Sequence, residues 1–113
     1  MKEGEIVLTP LPQVDGKVKN RPAIFLREMP PFKDVLVCGV STQTHLLSPE
    51  FDELITNQDS DFSSSGLISD SLIRLGFLVV LPRRNIIGSI GSISPERHIR
   101  LLHKLSEYLV KAH

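Results

Sequence analysis

Tryptophan is absent from this chain, cysteine occurs once, and aromatic residues make up only 5% of its 113 positions. A lone cysteine excludes an internal disulfide and any cysteine-built zinc site. Cys38, inside the apolar run Val35-Leu36-Val37-Cys38-Gly39-Val40, therefore reads as a small core residue. Few aromatics leave few rings on which bases could stack, and Phe32 in a proline-rich loop is the best placed of them. No apolar run approaches the roughly 18 residues of a membrane span, and Met1-Lys2-Glu3-Gly4-Glu5 has no signal-peptide core. The expectation is a cytoplasmic protein with no membrane partner. An excess of charge is lacking too, since 13 basic residues face 13 acidic ones, which argues against a generic nucleic-acid binder.

What is present is enough for one core. The length predicts a single domain over residues 1–113. The charges are unevenly spread. From Thr44 to Ile73 there is no Lys or Arg, while Glu50, Asp52, Glu53, Asp59, Asp61 and Asp70 give −6. The remainder sums to +6, so the sequence either segregates a basic from an acidic face or carries a mixed, solvated surface.

The apolar pattern is that of short strands. Gly4–Thr9 reads as a first strand, followed by a loop through Pro10, Pro12, Asp15 and Gly16. Arg21–Arg27 is a second strand, with Pro22 confined to a strand start or an edge because it has no N–H. Asp34–Ser41, apolar on both faces, is a central third strand. Phe51–Thr56 leans towards strand, Asn57–Gly66 is a loop or a single helical turn, and Ser69–Leu75 and Phe77–Leu81 are two strands pivoting at Gly76. Ile86–Ile93 is a last strand with a bend among its Gly and Ser residues. Ser94 as N-cap, Pro95 at the first helical position and Glu96 in the first turn then start a helix. Leu101, Leu102, Leu105, Tyr108, Leu109 and Ala112 form its apolar stripe, with Arg97, Arg100, Lys104 and Lys111 on the polar side. The result is a mainly β fold with a C-terminal helix: a small, strongly bent antiparallel sheet or partly open barrel.

Two strand mouths carry the chemistry. Lys17 and Lys19, beside Gly16, lead into Arg21 at the start of an apolar strand, and the third strand ends in Ser41-Thr42-Gln43. A cation and hydroxyl donors at adjacent strand ends suit a phosphate. The same residues also have plainer readings. Arg21 can pair with Asp15 or Asp34 at the surface, and Ser41-Thr42 can be an ordinary strand-to-loop cap. Arg83-Arg84 suits a charged hairpin turn, and His98 and His103 lack the i,i+4 spacing of metal ligands.

Four pieces in order resemble the PemK/MazF family of toxin-antitoxin growth inhibitors. They are Gly4-Glu5-Ile6-Val7, Lys19-Asn20-Arg21-Pro22-Ala23-Ile24-Phe25-Leu26, Val37-Cys38-Gly39-Val40-Ser41-Thr42-Gln43, and Ser65-Gly66-Leu67 followed by Ser71-Leu72-Ile73-Arg74-Leu75. The late Ile87-Gly88-Ser89-Ile90-Gly91 segment and the terminal helix complete the pattern. The resemblance implies an SH3-like barrel of the CcdB/PemK type, usually a homodimer. It also implies cleavage of single-stranded RNA at short motifs with neither metal nor cofactor, and a cognate antitoxin partner. The family's catalytic arginine falls on Arg21 and its catalytic hydroxyl on Ser41, while its aspartate falls on Ser71.

Lys17, Lys19, Thr42, Gln43 and Arg74 are then expected to bind substrate, Gln43 by reading a base edge. His45 and Asp70 are the available proton acceptors, although Asp70, adjacent to Ser71 in a strand, would face the other way. The alternative reading is a non-catalytic nucleic-acid binder or a gyrase-targeting, CcdB-like inhibitor on the same barrel, favoured by Ser71, the neutral charge and the few aromatics.

Overall fold

The computed structural model describes residues 1–112. Its strands are β1 (Glu5–Pro12), β2 (Val18–Met29), β3 (Asp34–Ser41), β4 (Glu53–Ile55), β5 (Ser71–Leu81) and β6 (Gly88–Ser92). A one-turn helix α1 (Phe62–Ser65) precedes β5, and α2 (Pro95–Val110) closes the chain. All six strands join one curled sheet in the order β4-β5-β3-β2-β1-β6, every neighbour antiparallel. This is the strongly bent antiparallel sheet expected from the sequence. Among the described residues, no helix is long and apolar enough to cross a membrane.

Alternating residues of the same strands feed two apolar clusters, one on each face of the sheet. Ile6, Ile24, Leu26, Cys38 and Val40 join Ile73, Leu75 and the α2 residues Leu101 and Leu105 on the helix side. Val7, Ala23, Phe25, Val35 and Val37 form the other cluster, covered by Phe77, Val79 and Leu81 as the sheet curls over itself. β3 contributes to both, as its two-sided apolarity predicts. Bulges between Ile6 and Val7, between Phe25 and Arg27, and between Cys38 and Gly39 break the register and supply the bend.

Several boundaries differ from the sequence reading. β1 runs on through Pro10 and Pro12, which pair with Asn20 and Val18. They are tolerated because β6 pairs only with Glu5–Leu8, so that end of β1 is an open edge. Pro22 lies inside β2 but one position before the ladder to β3 begins at Ala23. The two expected strands either side of Gly76 are one strand, β5, whose partners on β3 jump from Arg74 to Leu78. Gly76 thus marks a bulge rather than a break. The helix starts as predicted, with Ser94 Oγ accepting from the Arg97 N–H at 3.1 Å.

The polar side of α2 is where the sequence reading fails most. Arg97 is buried, 6% exposed, and its guanidinium meets Asp61 at 2.8 Å, Glu53 at 2.9 Å and Asp59 at 3.3 Å. Arg100 and Lys104 reach Glu53 from the next turns at 2.8 and 3.1 Å. The acidic segment is therefore not an acidic face. Three of its carboxylates are neutralised by α2, and buried Asp52 accepts the N–H groups of Ser48 and Leu75. Burial alone would raise the Asp61 carboxyl, but the hydrogen bonds from Arg97 and the Ser94 N–H outweigh it and hold it below the usual range. Glu53 is likewise held low against its burial by Arg100 and Lys104. His98 donates Nε2–H to the Leu26 carbonyl at 2.7 Å and is thereby a packed, satisfied side chain.

Candidate functional site

β2 and β3 bring the two principal candidates face to face. Ala23 pairs with Gly39, Ile24 with Cys38 and Phe25 with Val37. Continuing that register by two residues sets Arg21 opposite Ser41, just past the last paired rung. Both line one hollow of about 270 Å³, together with Pro22, Val40, Thr42, Ser71, Ile90 and the segment 66–69. Arg21 is exposed and forms no ion pair among the described residues. The surface pairing open to it in the sequence is not made: Asp15 accepts the Lys17 N–H at 2.9 Å, and Asp34 sits opposite Met29 at the other end of the hairpin. Ser41 Oγ accepts the Gln43 N–H at 3.1 Å, a local turn that fixes the oxygen and leaves its proton for a ligand.

The opposite wall is held by close backbone packing. Gly66 has φ +76°, and a Cβ there would collide with the Ile90 carbonyl. A Cβ at Gly91 would strike the backbone of Ser64 and Ser65. Only glycine allows α1 and β6 to approach so closely. Ser65 Oγ accepts the Leu67 N–H at 3.1 Å, and the carboxylate of Asp61, the residue just before α1, is tied to Arg97 rather than to the helix's own N–H groups. The wall of the hollow is thereby linked through one buried carboxylate to the C-terminal helix. Sequence reasoning missed this link because Arg97 sits on the polar side of a regular amphipathic pattern. Only the complementary signs of the acidic segment and the helix hinted at it.

A second hollow of about 450 Å³ adjoins the first and shares Thr42, Ile68 and Ser69 with it. Thr44, Asn57, Phe62 and Asp70 complete its lining. Asp70 Oδ1 accepts the Asn57 N–H at 2.9 Å. Asp70, just before β5, and Ser71, its first residue, thus line different hollows, and Ser71, a hydroxyl, is the one in the hollow of Arg21. The remaining candidates lie at the margins. Lys19 is two residues before Arg21 on β2 and shares its face, and Lys17 sits in the β1–β2 turn; neither lines either of these two hollows. Arg74 stands opposite Gly39, two positions along from Ser41, with its guanidinium 5.8 Å from the centre of the Phe77 ring. Gln43 and His45 are exposed, at the start of and within the 3-10 turn Thr44–Leu46, outside both linings. Phe32, the expected stacking ring, is exposed in the β2–β3 turn, at the other end of the hairpin from Arg21 and outside both linings.

Comparison with curated proteins gives no match. Among solved structures, the chain is similar to the Mycobacterium tuberculosis toxin MazF-mt6, with a TM-score of 0.67 and 18% identity over 96% of this chain and 99% of that one. That likeness establishes the fold. A family model describing the PemK-like, MazF-like toxin of type II toxin-antitoxin systems matches residues 2–109. With nearly every described residue inside that match, the chain belongs to the PemK-like, MazF-like family of type II toxins, a family defined by pairing with an antitoxin.

Proposed function

We propose that this toxin is an endoribonuclease that cleaves single-stranded RNA without a metal ion, acts as a homodimer, and is silenced by its antitoxin. The observation that carries the reading is the shared hollow of Arg21 and Ser41. The guanidinium forks onto the two non-bridging oxygens of the scissile phosphate and stabilises the charge that grows there. The Ser41 hydroxyl adds a preorganised donor, and each such donor contributes about 3 kcal/mol of barrier lowering. The ribose 2′-oxygen attacks phosphorus, the bond from phosphorus to the 5′-oxygen breaks, and the leaving oxygen takes a proton. The products are a 2′,3′-cyclic phosphate and a 5′-hydroxyl.

A guanidinium stays charged, so the proton of the 2′-hydroxyl needs another acceptor. His45, in the turn after Ser41, is one candidate acceptor, and Asp70 across the shared wall is the other. Ser71 lines the hollow of Arg21 at the position where the family resemblance puts an acid, and this one observation favours a second reading, a toxin that binds RNA or another target without cutting it. Incubation of the protein with long RNA in EDTA separates the two. Fragmentation by the native chain and none by Arg21→Ala is the expected result. Equal fragmentation by both indicates a contaminating nuclease and ends the proposal.

A further inference from the structure

We propose that the second hollow holds the nucleobase next to the scissile phosphate, and that Asp70 selects a base bearing an exocyclic amine over uracil. The inference rests on the RNA reading above and names how that site chooses its substrate. Three features point to a base. The hollow adjoins the phosphate hollow through Thr42, Ile68 and Ser69, so a chain whose phosphate lies at Arg21 has room to place a neighbouring nucleotide there. No Lys or Arg lines it, and its one charge is a carboxylate, so it repels a phosphate and attracts hydrogen-bond donors. Its apolar part is Phe62 and Ile68, a ring and a branched chain suited to the flat face of a base.

Asp70 is free to act in this way. Of the acids in its segment, Glu53, Asp59 and Asp61 are matched by α2 and Asp52 is buried under two N–H groups. Asp70 forms no ion pair among the described residues, and one oxygen, Oδ1, takes the Asn57 N–H while Oδ2 has no hydrogen-bond partner there. The engaged oxygen fixes the carboxylate and the other accepts from an amine on adenine, cytosine or guanine, which uracil lacks. Ile68 is 98% exposed and lines both hollows, so it is open to a ligand that bridges them.

The test uses fluorescent 2′-fluoro hexanucleotides of A, C and U, which lack the nucleophile, alongside cleavage mapping on RNA of randomised sequence. The native protein is expected to bind the A or C oligomer about tenfold more tightly than U. Asp70→Asn keeps the acceptor for Asn57 but turns the free atom into a donor, so the ranking is expected to flatten or reverse towards U. Ile68→Ser, which removes no buried packing, is expected to weaken all three about equally. Cleavage by Asp70→Asn at a changed nucleotide beside the cut supports the assignment. An unchanged ranking in Asp70→Asn overturns it, as does loss of all cleavage with the ranking intact, which would make Asp70 the proton acceptor. A native protein that ranks the bases without cutting RNA leaves the base subsite standing and removes the nuclease. One that cuts RNA but shows no base ranking removes the subsite alone.

Discussion

Replacing Arg97 with methionine tests whether the C-terminal helix is fastened by charge. Methionine retains the unbranched stem but not the guanidinium that contacts Asp61, Glu53 and Asp59. Glu53 would keep Arg100 and Lys104, whereas Asp61, only 4% exposed, would keep the Ser94 N–H and no cation among the described residues. Removing one partner of a buried pair costs about 3–5 kcal/mol, because the charge left behind is uncompensated. Against a total of about 5–15 kcal/mol this is severe, and for a chain of this size it lowers Tm by roughly 12–20 °C. Urea and thermal unfolding measure it. The companion Arg97→Met/Asp61→Asn removes the orphaned charge and is expected to recover at least about 1 kcal/mol relative to Arg97→Met. A loss below about 1 kcal/mol for Arg97→Met, or no recovery in the double variant, would refute the reasoning.

Further outcomes follow from the same contacts. Glu53 and Asp61 are held below their ordinary range in the folded chain, so the unfolded chain binds more protons in acid. Their contribution is complete above the unfolded carboxylate values near pH 4 and lost as pH falls through the lower folded ones. A urea midpoint measured from pH 7 to pH 3 should fall across that window, less so in Arg97→Met/Asp61→Asn. Gly66→Ala forces a Cβ against the Ile90 carbonyl at a left-handed position and should destabilise by at least about 1–3 kcal/mol in urea unfolding while disrupting the site wall. Burial pushes the Cys38 thiol up to about 12, so a thiol reagent at pH 8 should label it only as fast as the protein unfolds. Arg21→Ala should leave Tm within about 1–2 °C of the parent, since the side chain is exposed and unpaired.

Where local rules decide the structure, the sequence was readable. β3 was marked by apolarity on both faces, and α2 by its Ser94-Pro95 start and leucine stripe. The convergence of Arg21 and Ser41 followed from an antiparallel hairpin with one strand entering and its neighbour leaving at the same end. What could not be read depends on non-local pairing. Pro10 and Pro12 look like a loop until β6 is seen to stop at Leu8. Arg97 looks solvated until α1 and β4 bring Asp61 and Glu53 to it from 36 and 44 residues away. The second hollow has no sequence signature at all, since Thr42, Asn57, Phe62 and Asp70 come from four separate segments.

The central claim is that Arg21 and Ser41 hold one phosphate while the adjoining ribose oxygen attacks it. An RNA oligonucleotide carrying the mapped cleavage site, compared with the same strand 2′-deoxy at the scissile nucleotide alone, tests this most directly. The account predicts a cyclic phosphate and a 5′-hydroxyl from the first, and from the deoxy strand binding of similar strength with no cut. Cleavage of the deoxy strand at the same bond would contradict it.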